Sequence, residues 1–278
     1  MPACRSLIAS QLFLAAVLSA QTAAPQAAAP ESLDSVLWAQ TSVEHDAAYL
    51  QAFRIARLML DRAQADRTWT AAIEQSAGYE RLPAAVILDV DETILDNSPE
   101  EAQKVRSGPT TSLWKEWVRK EHSTALPGAL EFTQYADSHG VTVFYVTNRE
   151  APDKPATRRN LGQLGFPLNT HIDPILCRGE KPDWGSDKGS RRADIAAHYR
   201  VLLLVGDDLN DFLSGVHVAP DERRRQVSAY SDRWGERWIV LPNPMYGSWE
   251  AALYSHKGEL SHQEQVQQKY GRLRVIDP

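Results

Sequence analysis

Three apolar runs, each closing on a cluster of polar residues, limit what this chain can fold into more than any other feature. Residues 84–90 read A-A-V-I-L-D-V, residues 141–147 read V-T-V-F-Y-V-T and residues 201–205 read V-L-L-L-V; a shorter fourth run covers 238–241. Runs without polar alternation suit strands buried on both faces, as in a parallel sheet with helices on each side. Helical patterns lie between them at residues 129–138, 156–164 and 190–198. The alternation predicts an α/β fold, a doubly wound parallel sheet of Rossmann type. Right-handed crossovers then bring all strand C-termini to one edge, where ligands of such sheets bind.

The polar clusters sit at that edge. The first run ends Asp89-Val90-Asp91-Glu92-Thr93, the second Thr147-Asn148-Arg149, and the third Gly206-Asp207-Asp208-Leu209-Asn210-Asp211. Carboxylates gathered this closely repel unless protons or a cation intervene. All-oxygen donors favour a hard cation such as Mg²⁺, and no Cys or His lies near the clusters to favour a softer metal. One carboxylate of the Asp89/Asp91 pair can attack phosphorus. The other can protonate the leaving oxygen and then activate water. Phosphoryl transfer also needs donors for the equatorial oxygens; the Thr147 hydroxyl, backbone N–H groups and Lys188 of G-S-D-K-G-S are the candidates. An isolated Asp-x-Asp usually marks a solvated loop. It is the conjunction of three clusters at three strand ends that sets the solvated reading aside.

The rest of the chain frames this core. Arg5, an apolar stretch over 7–18 and small residues over 19–24 have the layout of a secretory leader, too short for a comfortable membrane span. The expected organisation is a signal peptide over 1–24, a linker over 25–33, a helical accessory region over 34–80, the phosphatase domain over 81–262 and a C-terminal tail over 263–278. The helical pattern, with apolar residues such as Leu37, Val43, Leu50, Phe53 and Leu58 at spacings near three and four, extends to about residue 75 and predicts two helices. Removal of the leader takes Cys4 with it and leaves Cys177 alone, so no internal disulfide can form. A formal charge of −6 without a basic stripe argues against a nucleic-acid polymer as partner. The histidines are dispersed and show no ligand spacing.

The segments I-L-D-V-D-E-T-I-L-D-N-S (87–98) and L-L-L-V-G-D-D-L-N-D-F (202–212) resemble signatures of the haloacid dehalogenase superfamily. More closely, residues 37–254 are similar to the class C bacterial acid phosphatases, the lipoprotein e(P4) family of 5′-nucleotidases. The resemblance implies a haloacid dehalogenase-like sheet and assigns roles. Asp89 would be nucleophile and metal ligand. Asp91 would be general acid and base and lend the metal its backbone carbonyl. Thr147, Asn148 and Lys188 would hold the phosphoryl group. Asp207 would be the second carboxylate on Mg²⁺, with Asp208 and Asp211 beside it and Asp211 orienting a bound water. Trp114 and Tyr246 would sandwich a nucleobase, while Trp117 reads as core. Relatives also suggest a homodimer.

Three departures accompany the likeness. Glu100 stands where the family usually has Tyr, at a position expected on the pocket rim. Asp208 replaces the usual Asn or Thr and adds a carboxylate near the metal. The lipid-attachment Cys is missing at the end of the apolar block, which predicts a free periplasmic or secreted protein with no stable membrane insertion. The leading expectation is a Mg²⁺-dependent acid phosphatase and 5′-nucleotidase acting through a phospho-aspartate on small phosphomonoesters. A phosphatase for sugar phosphates or other small esters is the alternative, and a non-catalytic metal- or cofactor-binding protein is a third reading of a different class.

Overall fold

The computed structural model describes residues 31–108, 110, 112–255 and 260–276; the expected leader and most of the linker lie outside them. Five strands form the main sheet: β1 (Ala84–Leu88), β4 (Thr142–Glu150), β5 (Ile175–Arg178), β6 (Arg200–Gly206) and β7 (Trp238–Val240). Their order is β5-β4-β1-β6-β7, and every pairing is parallel. The chain first moves outward from β1 to β4 and β5. It then crosses back to β6 and β7 on the other flank. The reversal at β1 opens a crevice beyond the strand C-termini, the place where such sheets take ligands.

Burial follows the pleat. In β1, Val86 and Leu88 pack with Tyr49, Phe53, Phe132 and Leu161 on one face. Ala85 and Ile87 pack with Ile195, Phe212 and Trp238 on the other. The first face is covered by α2 (Val43–Ala65), α5 (Ala129–Ser138) and α6 (Lys154–Leu164), the second by α7 (Gly189–Ala196) and the segment after β6. Both faces are thus dry, which is why the strands read as continuous apolar runs.

The N-terminal pair is α1 (Leu33–Thr41) and α2. Ser42 caps α2 by accepting the N–H of His45 at 3.1 Å. The helix stops at Ala65, well before the periodicity suggested. Asp66 accepts both the N–H and the hydroxyl of Thr68, at 2.9 and 2.7 Å, a local turn that competes with helix continuation. The buried stripe of α2 is Tyr49, Ala52, Phe53, Ala56, Leu60 and Ala63. Leu37, Val43, Leu50 and Leu58, part of the apolar pattern, are exposed. Nor is α2 only a cover: the Tyr49 hydroxyl donates to the main-chain oxygens of Glu92 at 2.5 Å and Pro242 at 3.3 Å, so it braces two loops of the crevice.

Several elements had no clear signal. β2 (Leu95–Asp96) and β3 (Thr124–Ala125) form a small antiparallel pair, with α3 (Ser98–Ser107) and α4 (Leu113–Lys120) between them. After β6 come α8 (Pro220–Ala229), α9 (Ser248–Leu253) and α10 (His262–Gly271). α10 occupies part of the expected tail, with Lys269 paired to Glu250 at 2.7 Å and to Glu31. Among the described residues no helix is long and apolar enough to cross a membrane.

Candidate active site

The acid loop after β1 sorts its two aspartates by backbone geometry. Asp89 continues the β1–β6 register by donating its N–H to Val205 O at 3.0 Å. The chain then folds over Val90, whose carbonyl accepts the N–H groups of Ile94 and Leu95 at 3.0 and 2.9 Å. Glu92 takes a left-handed φ of 52°, which costs a non-glycine residue about 1–2 kcal/mol. Its buried carboxylate offsets that strain by accepting from Asn97 N and Nδ2 at 2.7 and 3.3 Å. The tight turn leaves Asp89 facing β6 and swings Asp91 toward β4.

On the β6 side, Asp89, Asp207 and Asp211 each place a carboxylate oxygen within 4.8 Å of the others. Lys188 Nζ reaches Asp89 Oδ1 and lies 2.5 Å from Asp211 Oδ1. Thr93 donates to Asp207 Oδ1 at 3.1 Å and Asn243 to Oδ2 at 2.8 Å. Gly206 permits the crowding, because a Cβ there would fall 2.1 Å from Asp211 Oδ2. Burial raises the Asp89 pKa to about 7, with Lys188 opposing and Asp211 and Asp91 adding to the rise. Burial, then Asp89 and Asp211, push Asp207 well above the carboxylate range. Burial also raises Asp211 against the pull of Lys188. For Lys188 itself, burial works against the ammonium, but Asp211 and Asp89 outweigh it and lift its pKa. Three carboxylates beside one ammonium can carry their full charge only where a further cation replaces the protons that burial and repulsion favour. This all-oxygen donor set can hold a hard divalent cation.

On the β4 side a single acid is fully matched. Arg149 is 2% exposed and forks onto Asp91, with Nη2 and Nε 2.7 and 3.0 Å from Oδ1 and Nε 3.3 Å from Oδ2. Asn97 Nδ2 also donates to Oδ1 at 2.9 Å. Oδ1 is therefore crowded with donors, while Oδ2 has, besides Nε, the Thr147 hydroxyl at 3.4 Å. Asn97 Oδ1 in turn accepts from Trp117 Nε1 at 2.8 Å and the Ser123 hydroxyl at 2.9 Å, which ties helix α4 to the partners of Asp91. Trp117 is thus a half-buried tether and not, as the sequence reading expects, part of the hydrophobic core. Trp114 is half-buried, with the Arg149 guanidinium 5.5 Å from its ring centre.

Other expected residues fall in different places. Thr147 is buried within β4, where the regular pairing with β5 breaks off before Glu150. Asn148 turns its amide to structure: Oδ1 accepts from Arg191 at 2.6 Å and Nδ2 donates to Ser186 O at 3.0 Å. Arg191 also holds the Thr147 carbonyl, so it locks this edge of the crevice. Asp208 is not part of the acidic trio. Its carboxylate accepts from the Ser248 hydroxyl, Ser248 N and Asn210 N at 2.6, 2.7 and 2.9 Å. Glu100 is buried on α3, not exposed at a rim, with Lys104 Nζ at 2.8 Å; burial raises its pKa. Tyr246 is half-buried in the loop between β7 and α9.

Sequence reasoning assigned nothing to Arg149, Asn97, Asn243 or Tyr49. For Arg149 a signal existed: it lies two residues beyond Thr147 on an extended strand and so shares its face. Asn97, Asn243 and Tyr49 reach the site through turns and a helix that carry no local chemistry in their spacing.

With this geometry in view, residues 9–249 match the family described as HAD superfamily, subfamily IIIB (acid phosphatase). The chain belongs to this acid phosphatase family. A solved class C acid phosphatase from Bacillus anthracis superimposes with a TM-score of 0.79 at 33% identity, over 88% of this chain and 98% of that one. The same enzyme with tungstate bound gives 0.78 at 32% identity and the same coverage. Two stem glycoproteins of Glycine max, of 31 and 28 kDa, are 29% and 25% identical over 58% of this chain. The chain spans 58% of the length of these two relatives. Membership of this family of phosphomonoester hydrolases accords with the class C resemblance and with the doubly wound fold.

Proposed function

We propose that this chain is an exported, Mg²⁺-dependent acid phosphatase that hydrolyses 5′-nucleotides and related phosphomonoesters through a phospho-aspartate at Asp89. One observation carries the reading: two aspartates two residues apart are delivered to opposite environments, Asp89 to a cation-poor acidic pocket beside Lys188 and Asp91 to the Arg149 fork. Such a split suits a two-step transfer through an acyl phosphate, in which one carboxylate attacks and the other moves the proton.

In the first step an Asp89 carboxylate oxygen attacks phosphorus, and the bond from phosphorus to the ester oxygen breaks. Asp91, held through Oδ1 by Arg149 and Asn97, gives a proton to the departing oxygen from Oδ2. Thr147 and Lys188 offer donors to the phosphoryl oxygens. In the second step Asp91 takes a proton from water as it attacks the acyl phosphate, which releases inorganic phosphate and restores Asp89. A divalent cation held by Asp89, Asp207 and Asp211, when bound, neutralises charge on the transferring group. Trp114 and Tyr246 offer stacking faces for a base, worth ~1–3 kcal/mol each by analogy with single-strand binding.

The test is a panel of nucleoside 5′-monophosphates and sugar phosphates, run with Mg²⁺ and with EDTA. Release of phosphate that needs the cation and favours nucleotides supports the reading. Equal turnover of sugar phosphates would replace the nucleotide assignment, and turnover unaffected by EDTA would remove the metal.

A further inference from the structure

The loop that carries Tyr246 is fastened to three consecutive residues at the end of β6. Leu241 N donates to Gly206 O at 2.9 Å. Asn243 Nδ2 donates to Asp207 Oδ2 at 2.8 Å. Ser248, through hydroxyl and N–H, donates to both oxygens of Asp208 at 2.6 and 2.7 Å. Tyr246 lies between the second and third fastenings. The loop is also closed internally: Asn243 Oδ1 accepts Met245 N at 2.9 Å, and Trp249 Nε1 donates to Tyr246 O at 3.2 Å.

The third fastening is the tightest. Gly247 has a φ of 151°, and a Cβ on it would sit 2.8 Å from Trp249 Cδ1 and 3.2 Å from Asp208 Oδ2, so the backbone passes directly against the carboxylate. Arg223 Nη1 donates to the Ser248 hydroxyl at 2.8 Å and to Val216 O at 2.9 Å, which orients that hydroxyl's own proton toward Asp208. Donors meet both oxygens of Asp208: Ser248 Oγ and Asn210 N at Oδ1, Ser248 N at Oδ2. Only a carboxylate can accept on both; an amide would turn an NH₂ toward one of these donors.

We propose that Asp208 is a positioning residue which fixes the Tyr246 loop over the pocket and thereby sets affinity for esters carrying an aromatic base. The proposal rests on the reading of Tyr246 as a stacking face. It gives the carboxylate at this position a task other than holding the cation: the neighbouring Asp207 belongs to the acidic trio, whereas Asp208 meets the Asp211 carboxylate through its N–H, at 2.9 Å, and turns its own carboxylate to the loop.

The experiment compares the full chain with Asp208→Ala, Asp208→Asn and Tyr246→Ala. Hydrogen exchange of the peptide spanning 243–249 is read by mass spectrometry. The KM and kcat for a nucleoside 5′-monophosphate and for glycerol phosphate are measured alongside the Mg²⁺ midpoint. Loss of hydrogen bonds to a charged acceptor predicts exchange faster by ~10–100-fold in Asp208→Ala, with peptides of β1 as the control for intact folding. The KM for the nucleotide is expected to rise about tenfold more than that for glycerol phosphate, and Asp208→Asn to fall between wild type and Ala. Unchanged exchange in the 243–249 peptide overturns the proposal. So does an equal loss on both substrates with a weakened Mg²⁺ midpoint, which would return Asp208 to the metal. If exchange rises but the nucleotide is not selectively affected, Tyr246→Ala separates the causes. Selective loss in that variant refutes only the role of Asp208, and no selective loss refutes the stacking reading beneath it.

Discussion

The two flanks of the β1 tip make opposite use of the same residue type. Toward β6, Asp89 and Asp211 are buried and share Lys188, with Asp207 half-buried beside them, and desolvation with mutual repulsion raises the proton affinity of all three. Toward β4, one aspartate receives a buried arginine through two nitrogens and an asparagine as well. The first flank is electrostatically incomplete and calls for a cation. The second is complete and fixes an orientation. Residue type did not decide which aspartate would do which job; the turn over Val90 and the left-handed Glu92 did.

Perturbing each flank separately should break this contrast. The largest expected effect is from Asp89→Asn, which removes the attacking oxygen: phosphate release should fall by ~10³-fold or more, with the circular dichroism of the fold retained. Lys188→Ala leaves Asp89 and Asp211 buried without their cation and should cost about 3–5 kcal/mol in denaturant unfolding without metal, with saturating Mg²⁺ restoring part of it. Arg149→Gln should lower kcat by ~10²-fold or more by loosening the general acid. That loss should be larger for alkyl phosphates than for p-nitrophenyl phosphate, whose leaving group needs little protonation. A uniform loss would argue that Arg149 serves folding and not Asp91.

The pH response sharpens the comparison with a smaller effect. Asp89 is raised to about 7 in the fold against about 3.9 in an unfolded chain. The folded state therefore binds the extra proton between these values, and stability without metal should fall as pH rises from about 4 to about 7. A cation must displace that proton. Mg²⁺ should raise Tm more at pH 7 than at pH 5, with affinity changing by up to about tenfold per pH unit for each proton displaced. Equal Tm gains at both pH values would show that the trio is already ionised.

What the sequence made legible was the part set by long-range burial. The runs ending at Asp89, Thr147 and Asp207 could be read because strands covered on both faces admit almost no polar residue, so their tips stand out. β5 escaped because I-L-C-R is four residues long and follows Pro174, too short to separate from a loop. α2 was overextended because helical spacing persists past Asp66, where a side chain competes for the backbone. Within the site, positions could be inferred but partners could not. Asp91 was visible, yet its fork with Arg149 depends on the turn after β1. Asp208 was visible as an added acid, yet its engagement by Ser248 depends on a loop forty residues away.

The most direct measurement is chemical capture of the phosphorylated residue. The enzyme, mixed with substrate and Mg²⁺, is quenched and reduced with borohydride, which converts an aspartyl phosphate to homoserine, and the digest is read by mass spectrometry. Homoserine should be found at position 89 in the wild type and be missing from Asp89→Asn, which should also have lost turnover. Homoserine at Asp91, Asp207 or Asp211, or an Asp89→Asn enzyme that still turns over at the wild-type rate, would contradict a nucleophile at the tip of β1.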